Sequence, residues 1–222
     1  MKNRFFLSLL IFELLCFSCK PDSEKKEDVS SPKILLQLNA QLTEAILQDG
    51  FSPPVASRIY TYPNIAAYEI LRHLTKDWKS MGDNLNGFPG LPEPETEKPI
   101  HLTVSAIEAF VVVAQSLIYR DYLMDSIKSH LYFSLKTQEF PEELLNNSLH
   151  HGRKIAEKII EWASSDGYKK TRNKAIYIPS QKPGAWEPTP PTYGESLEPY
   201  WFEHRCFVMD SASQFFPLPY PL

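Results

Sequence analysis

The sequence predicts an all-α fold, a helical bundle followed by an irregular C-terminal strap rich in proline and aromatic residues. Three observations predict it. Apolar residues recur at helical spacing through five stretches between Lys33 and Asp166. No set of alternating apolar and polar runs recurs at the spacing a sheet needs. Finally, nine of the 19 prolines crowd into Pro179–Pro221, beside Trp186, Tyr193, Tyr200, Trp201, Phe202, Phe207, Phe215, Phe216 and Tyr220. So many prolines forbid a long helix there.

The first helix is expected over Lys33–Gln48, with Leu35, Leu38, Leu42, Ala45 and Ile46 on one stripe and Gly50 closing it. The second opens at Ser52-Pro53-Pro54, a hydroxyl cap with proline in the first turn. It carries Val55, Ile59, Tyr62, Ala66 and Ile70 at helical spacing. Pro63 lies inside that pattern, where its ring is expected to kink or split the helix. Met81–Pro99, rich in Gly, Pro, Asn and Glu, reads as a connector. The third helix, His101–Tyr119, is apolar around most of its circumference through Ala109-Phe110-Val111-Val112-Val113-Ala114, which marks it as the central one. A fourth is expected over Arg120–Lys136. The fifth starts at Pro141-Glu142-Glu143, with acids where the helix dipole favours them. It places Leu145, Leu149, Gly152, Ala156, Ile159 and Ala163 inward and stops at Asp166-Gly167.

With 222 residues, 43% hydrophobic and 23% charged, the chain is long enough for one domain with a real core. Its net charge is −4, from 23 basic and 27 acidic residues, without a basic cluster. That argues against a nucleic-acid partner, since phosphate binding needs concentrated positive charge. The few glycines form no phosphate-binding loop.

Four segments divide the chain: a signal over 1–18, a tether over 19–32, a helical domain over 33–167 and the strap over 168–222. Lys2 and Arg4 precede an apolar run from Phe5 to Ser18, broken by Glu13. At about 14 residues the run is too short for a membrane-spanning helix but suits a secretory signal. Ser18 before Cys19 resembles a bacterial lipoprotein processing site, although Cys16 stands where leucine is commoner. Cys19 is therefore the expected lipid attachment point, which would hold the protein to a membrane of the bacterial cell envelope. An ordinary cleaved signal and an uncleaved anchor remain open. Lys20–Lys33 is polar and aperiodic, as a tether would be.

Three blocks carry a resemblance to a known family. They are FSPPVASRIYTYPNIAAYEIL (Phe51–Leu71), HGRKIAEKIIEWASSDGY (His151–Tyr168) and GAWEPTPPTYGESLEPYWFEHRCFVMDSASQFFPLPYP (Gly184–Pro221). In order and spacing the chain from Lys33 onward resembles the N-terminal half of bacterial vanadium-dependent haloperoxidase-like proteins, of the type 2 phosphatidic acid phosphatase superfamily. The resemblance implies a helical bundle whose strap leads into a second, catalytic half. It also implies an oxyanion site, for vanadate or phosphate, built from a lysine six residues ahead of an Arg-Pro pair, a Pro-Ser-Gly-His-like turn, and an arginine followed a few residues later by histidine. None of these motifs occurs in the chain. The resemblance therefore implies a portion inactive alone, with vanadate or phosphate expected in the missing half. No catalytic, cofactor-binding or metal residue is nominated.

Other polar clusters have structural readings. Adjacent His150 and His151 point about 100° apart on a helix and are expected as a solvent-facing pair. Asp121 with Asp125, and Glu157 with Glu161, are expected as solvated faces lacking a matched histidine. In Glu203-His204-Arg205 the arginine is expected to salt-bridge a helix end. Ser211 and Ser213 lie outside any Gly-x-Ser-x-Gly elbow. Two alternatives to the inactive portion stay open: a short helical lipoprotein serving as a binding or structural module, and one half of a split enzyme completed by a separately encoded partner.

Overall fold

The computed structural model describes residues 33–95 and 97–217; the signal, the tether and Cys19 lie outside the described residues. Among the described residues there are six α-helices and no strand. They are α1 (Lys33–Asp49), α2 (Pro53–Leu71), α3 (Leu102–Gln115), α4 (Asp125–Thr137), α5 (Glu142–Ser164) and the short α6 (Tyr168–Arg172). Single 3₁₀ turns cover Arg72–Leu74, Gly82–Asn84, Asp121–Met124 and Trp201–Glu203.

Helix α3 is the hub, as its apolar circumference predicts. Val104, Ile107, Phe110 and Val111 are wholly buried, and the helix makes its most extensive contacts with α2 and α5. Each large side chain so buried contributes about 1.5–3 kcal/mol. The α3–α5 crossing is close because the facing residues are small. A Cβ on Gly152 would meet the Ser105 carbonyl oxygen at 2.4 Å and Glu108 Cβ at 2.9 Å. Ser105 Oγ donates to the Ser148 carbonyl (2.9 Å), and His101 N donates to Ser148 Oγ (2.8 Å), one turn away on the same α5 stripe.

A buried carboxylate ties α4 into this core. Glu108 on α3 has no solvent exposure and accepts from the Tyr132 hydroxyl, from Lys128 Nζ at 3.0 Å and from Arg153 Nε at 2.7 Å. Burial pushes its carboxyl up, but these three donors outweigh burial and hold it below the ordinary value.

Several expectations need correction. Helix α2 runs through Pro63 without a break, because Tyr62, Ile65 and Ala66 beside it are buried and their packing outweighs the missing hydrogen bond. Ser52 does not cap that helix; its hydroxyl donates to Glu198 Oε1 in the strap at 2.9 Å. Helix α3 ends at Gln115 rather than Tyr119. The Asp49 carboxylate takes the Tyr119 and Arg120 amides (2.7 and 3.2 Å), and Arg120 Nη1 pairs with it at 2.7 Å. A 3₁₀ turn then delays α4 to Asp125, so Asp121 and Asp125 share no α-helical face, and Asp125 accepts from Gln115 Nε2 at 2.8 Å. On α1, Ile34 is buried and Leu35 only partly so. The strap segment also begins with a helix, α6, which its composition did not suggest.

The Gly152→Ala variant is expected to lose about 1–3 kcal/mol of stability in urea unfolding, because its methyl group meets backbone rather than a movable side chain. Gly90→Ala, where nothing lies within 4 Å, is expected to stay within about 0.5 kcal/mol of the parent.

Candidate functional site

Helix α5 stops because Gly167, at φ +94°, takes a left-handed conformation that a side chain would strain. The residue before it, Asp166, is thereby turned under the end of the helix, where it is buried. There its Oδ2 meets Arg58 Nε of α2 at 2.5 Å and accepts from the Tyr62 hydroxyl at 3.0 Å. Its Oδ1 accepts from Tyr168 N at 2.9 Å. Arg58 Nη2 also donates to the Ala163 carbonyl at 3.0 Å, satisfying one of the free acceptors at the α5 terminus.

The strap locks onto this junction through Arg205. Its backbone amide donates to the Asp166 carbonyl (2.9 Å), and Nη2 donates to the Trp162 carbonyl (2.8 Å) and the Tyr62 hydroxyl (3.1 Å). Its Nη1 donates to Ser165 Oγ at 2.9 Å, and its guanidinium lies over the Trp162 ring. Arg205 reaches the expected helix end, but it binds carbonyl and hydroxyl oxygens there instead of the carboxylate a salt bridge needs. Both arginines meet aromatic faces: Arg58 and Arg172 each lie within 4.7 Å of the Tyr168 ring centre. Burial first, and the Asp166 charge second, push the Tyr62 hydroxyl far above its ordinary value, so it stays a neutral donor.

Two further anchors hold the strap. Asn86, in the connector, donates from its backbone to the Phe207 carbonyl at 2.8 Å and from Nδ2 to the Cys206 and Met209 carbonyls at 3.1 and 2.7 Å. Its own carbonyl accepts from Trp162 Nε1 at 3.1 Å. Glu198, left-handed at φ +50°, is held by Ser52 and by an ion pair with Arg172. These contacts leave a cleft of about 370 Å³ at the strap root, lined by Arg58, Tyr62, Trp201, His204, Arg205 and Phe207 among others.

The cleft does not fit an oxyanion. Arg58 is paired with Asp166, Arg205 is committed to helix-end oxygens, and the Asp166 carboxylate beside them repels a second anion. Among the described residues no three or more His, Cys, Asp or Glu side chains are grouped to hold a metal ion. No described helix is long and apolar enough to cross a membrane.

The other sequence candidates lie apart from this junction. His150 is exposed but His151 is buried, correcting the solvent-facing pair, because positions about 100° apart on α5 put only His151 on the buried stripe. Glu157 and Glu161 are exposed as expected. Ser211 and Ser213 bond one another at 3.1 Å on the surface.

No protein-family model matches the chain, and no curated protein matches it. Among solved structures, the crystal structure of a bacterial vanadium-dependent iodoperoxidase matches it at 38% identity and TM-score 0.78. The match covers 86% of this chain. The chain is haloperoxidase-like. It spans 46% of the iodoperoxidase chain, so less than half of that protein has a counterpart in it.

Within this haloperoxidase-like bundle, most of the exposed large apolar side chains fall between Ile176 and Phe216; Ile176, Ile178, Phe215 and Phe216 are each more than three-quarters exposed. The helices bury most of their large apolar side chains, Leu36, Leu47 and Phe133 being exceptions, whereas the strap leaves most of its own exposed. Sequence reasoning missed Asn86 and Arg58 as anchors. The signal for Arg58 was a cation set among the apolar positions Val55, Ile59 and Tyr62. Asn86 had only its Asn-Gly turn.

Arg58→Ala leaves Asp166 buried without its charge partner and is expected to cost about 3–5 kcal/mol in thermal or denaturant unfolding. A loss below about 1 kcal/mol would mean that the pair does not hold α2 to the α5 terminus.

Proposed function

We propose that this haloperoxidase-like chain is a non-catalytic scaffold, the helical portion of a vanadium-dependent haloperoxidase or acid-phosphatase-like protein of the bacterial cell envelope. A further helical portion supplies the oxyanion site for vanadate or phosphate and packs on the strap. The observation that carries this reading is the asymmetry of the structural match, 86% of this chain against 46% of the iodoperoxidase. The apolar strap supports it, since exposed patches of that kind mark surfaces that another structure covers. Both arginines at the strap root are engaged in structure, which leaves the described residues a supporting role.

The same reading places the protein on a membrane through lipid at Cys19, the first residue of the 19–32 tether. Partners are that membrane and the oxyanion-binding portion, whether continuous with the chain or separately encoded. The acidic net charge of −4 disfavours nucleic acid.

The test is the full chain alone, incubated with vanadate and followed by ⁵¹V NMR, iodide oxidation with peroxide, and hydrolysis of a phosphate monoester. Neither vanadate binding nor turnover is expected; vanadate-dependent turnover would overturn the scaffold reading. For the anchor, mass spectrometry of the membrane fraction is expected to find Cys19 as the acylated first residue. Cys19→Ser is expected to abolish acylation, and an unmodified Cys19 in the native chain would rule the anchor out.

A further inference from the structure

We propose that His204 is an acid-sensitive latch, whose protonation frees the strap root, residues 200–206, from the bundle. The proposal stands on hydrogen-bond geometry and is independent of the scaffold reading. His204 Nε2 lies 2.8 Å from Thr171 Oγ1, and Thr171 donates its single hydroxyl hydrogen to the Tyr168 carbonyl at 2.9 Å. With that hydrogen on the Tyr168 carbonyl, Thr171 accepts from the imidazole as its Nε2–H tautomer. Nδ1 then carries a lone pair, and it is buried with no hydrogen-bond partner.

An unused acceptor is tolerated in such a place, but a charged N–H without an acceptor is not. Aromatic rings hold the imidazole on two sides. It is packed on Trp201 at 4.4 Å between centroids and edge-on to Tyr168 at 5.8 Å. Gly167 lies directly beneath, where an added Cβ would come within 3.7 Å of His204 Cα and 3.3 Å of the Glu203 carbonyl. Freeing the ring therefore frees the neighbouring backbone, including the Arg205 amide bond to Asp166.

The surrounding charges do not rescue the cation. Asp166 beyond α5 and Glu198 in the strap favour it, while Arg58 of α2 and Arg172 of α6 oppose it, and the adjacent Glu203 is paired with Lys174. Burial dominates, and His204 is held below the ordinary histidine value. The sign follows. A folded-state value below the unfolded one means that the unfolded strap binds the extra proton. The stabilisation is complete above about pH 6.5 and is lost as pH falls through the folded-state value. His101 and His151 are lowered by burial too, but His101 caps the start of α3 and His151 lies on α5, so their protonation acts on the helices. Glu198 is held below its ordinary value, chiefly by its hydrogen bond to Arg172, so its anchor persists to more acid conditions.

The experiment uses the full chain with ¹⁵N-labelled histidine, titrated from about pH 7.5 to about 4.5. Imidazole ¹⁵N shifts report tautomer and protonation, and amide exchange is followed segment by segment. Expected are an Nε2–H tautomer at neutral pH, titration below the ordinary histidine value, and a rise of about tenfold or more in exchange over 200–206 while α3 stays protected. His204→Gln keeps a donor for Thr171 but cannot titrate, and is expected to abolish that acid step. The Nδ1–H tautomer, ordinary titration, exchange that rises together with α3, or an unchanged acid step in His204→Gln would each overturn the proposal. If His204→Gln already opens the strap at neutral pH, the tautomer and titration of the unmodified chain decide the question alone.

Discussion

Arg58 and Asp166 meet at 2.5 Å under the C-terminus of α5, both almost sealed from water. A buried pair of this kind gains little over an apolar substitute, yet neither partner tolerates loss of the other. What it secures here is position. Arg58 reaches from α2 to α5, Asp166 orders the turn into α6, and Tyr62 and the Arg205 amide complete the same knot. Helix packing, the exit of the chain from the bundle and the seating of the strap all pass through it.

Away from this knot the bundle rests on close apolar packing. Helix α3 is hidden on nearly every side, and Ser105, Ser148 and Gly152 let α5 approach it to backbone contact. Glu108 is a buried charge in that core, and it is satisfied by three donors from α4 and α5. The strap follows another logic. It is pinned at Glu198, His204, Arg205 and by Asn86, while large apolar side chains on either side of these points stay exposed. The strap is thus fixed by a few polar residues and open along its large apolar side chains. That accords with a haloperoxidase-like chain which matches less than half of an iodoperoxidase.

Much of the fold was legible in the sequence because it depends on periodicity. The stripe Val55, Ile59, Tyr62, Ala66 and Ile70 needs only a helix and a core to be buried, and all five residues are. The apolar circumference of α3 likewise implied a helix surrounded by others. Gly167 after Asp166 signalled the end of α5 from local chemistry alone. The resemblance to haloperoxidase-like proteins was legible too, in the order of three blocks.

Tertiary structure decided what depends on long-range partners. Pro63 breaks helices in isolation, yet here burial of its neighbours keeps α2 whole. Ser52 had the sequence of a cap and became a tether for Glu198, 146 residues away. Asn86, Arg58 and Asp166 converge only after the connector, α2 and α5 have folded, and no local pattern encodes that meeting. The sequence by itself determined the helices, their inward faces and the family likeness, since these follow from spacing of a few residues. The polar knot at the strap root was decided by the tertiary structure because, the local Asp166–Tyr168 turn aside, its hydrogen bonds join residues that only packing brings together.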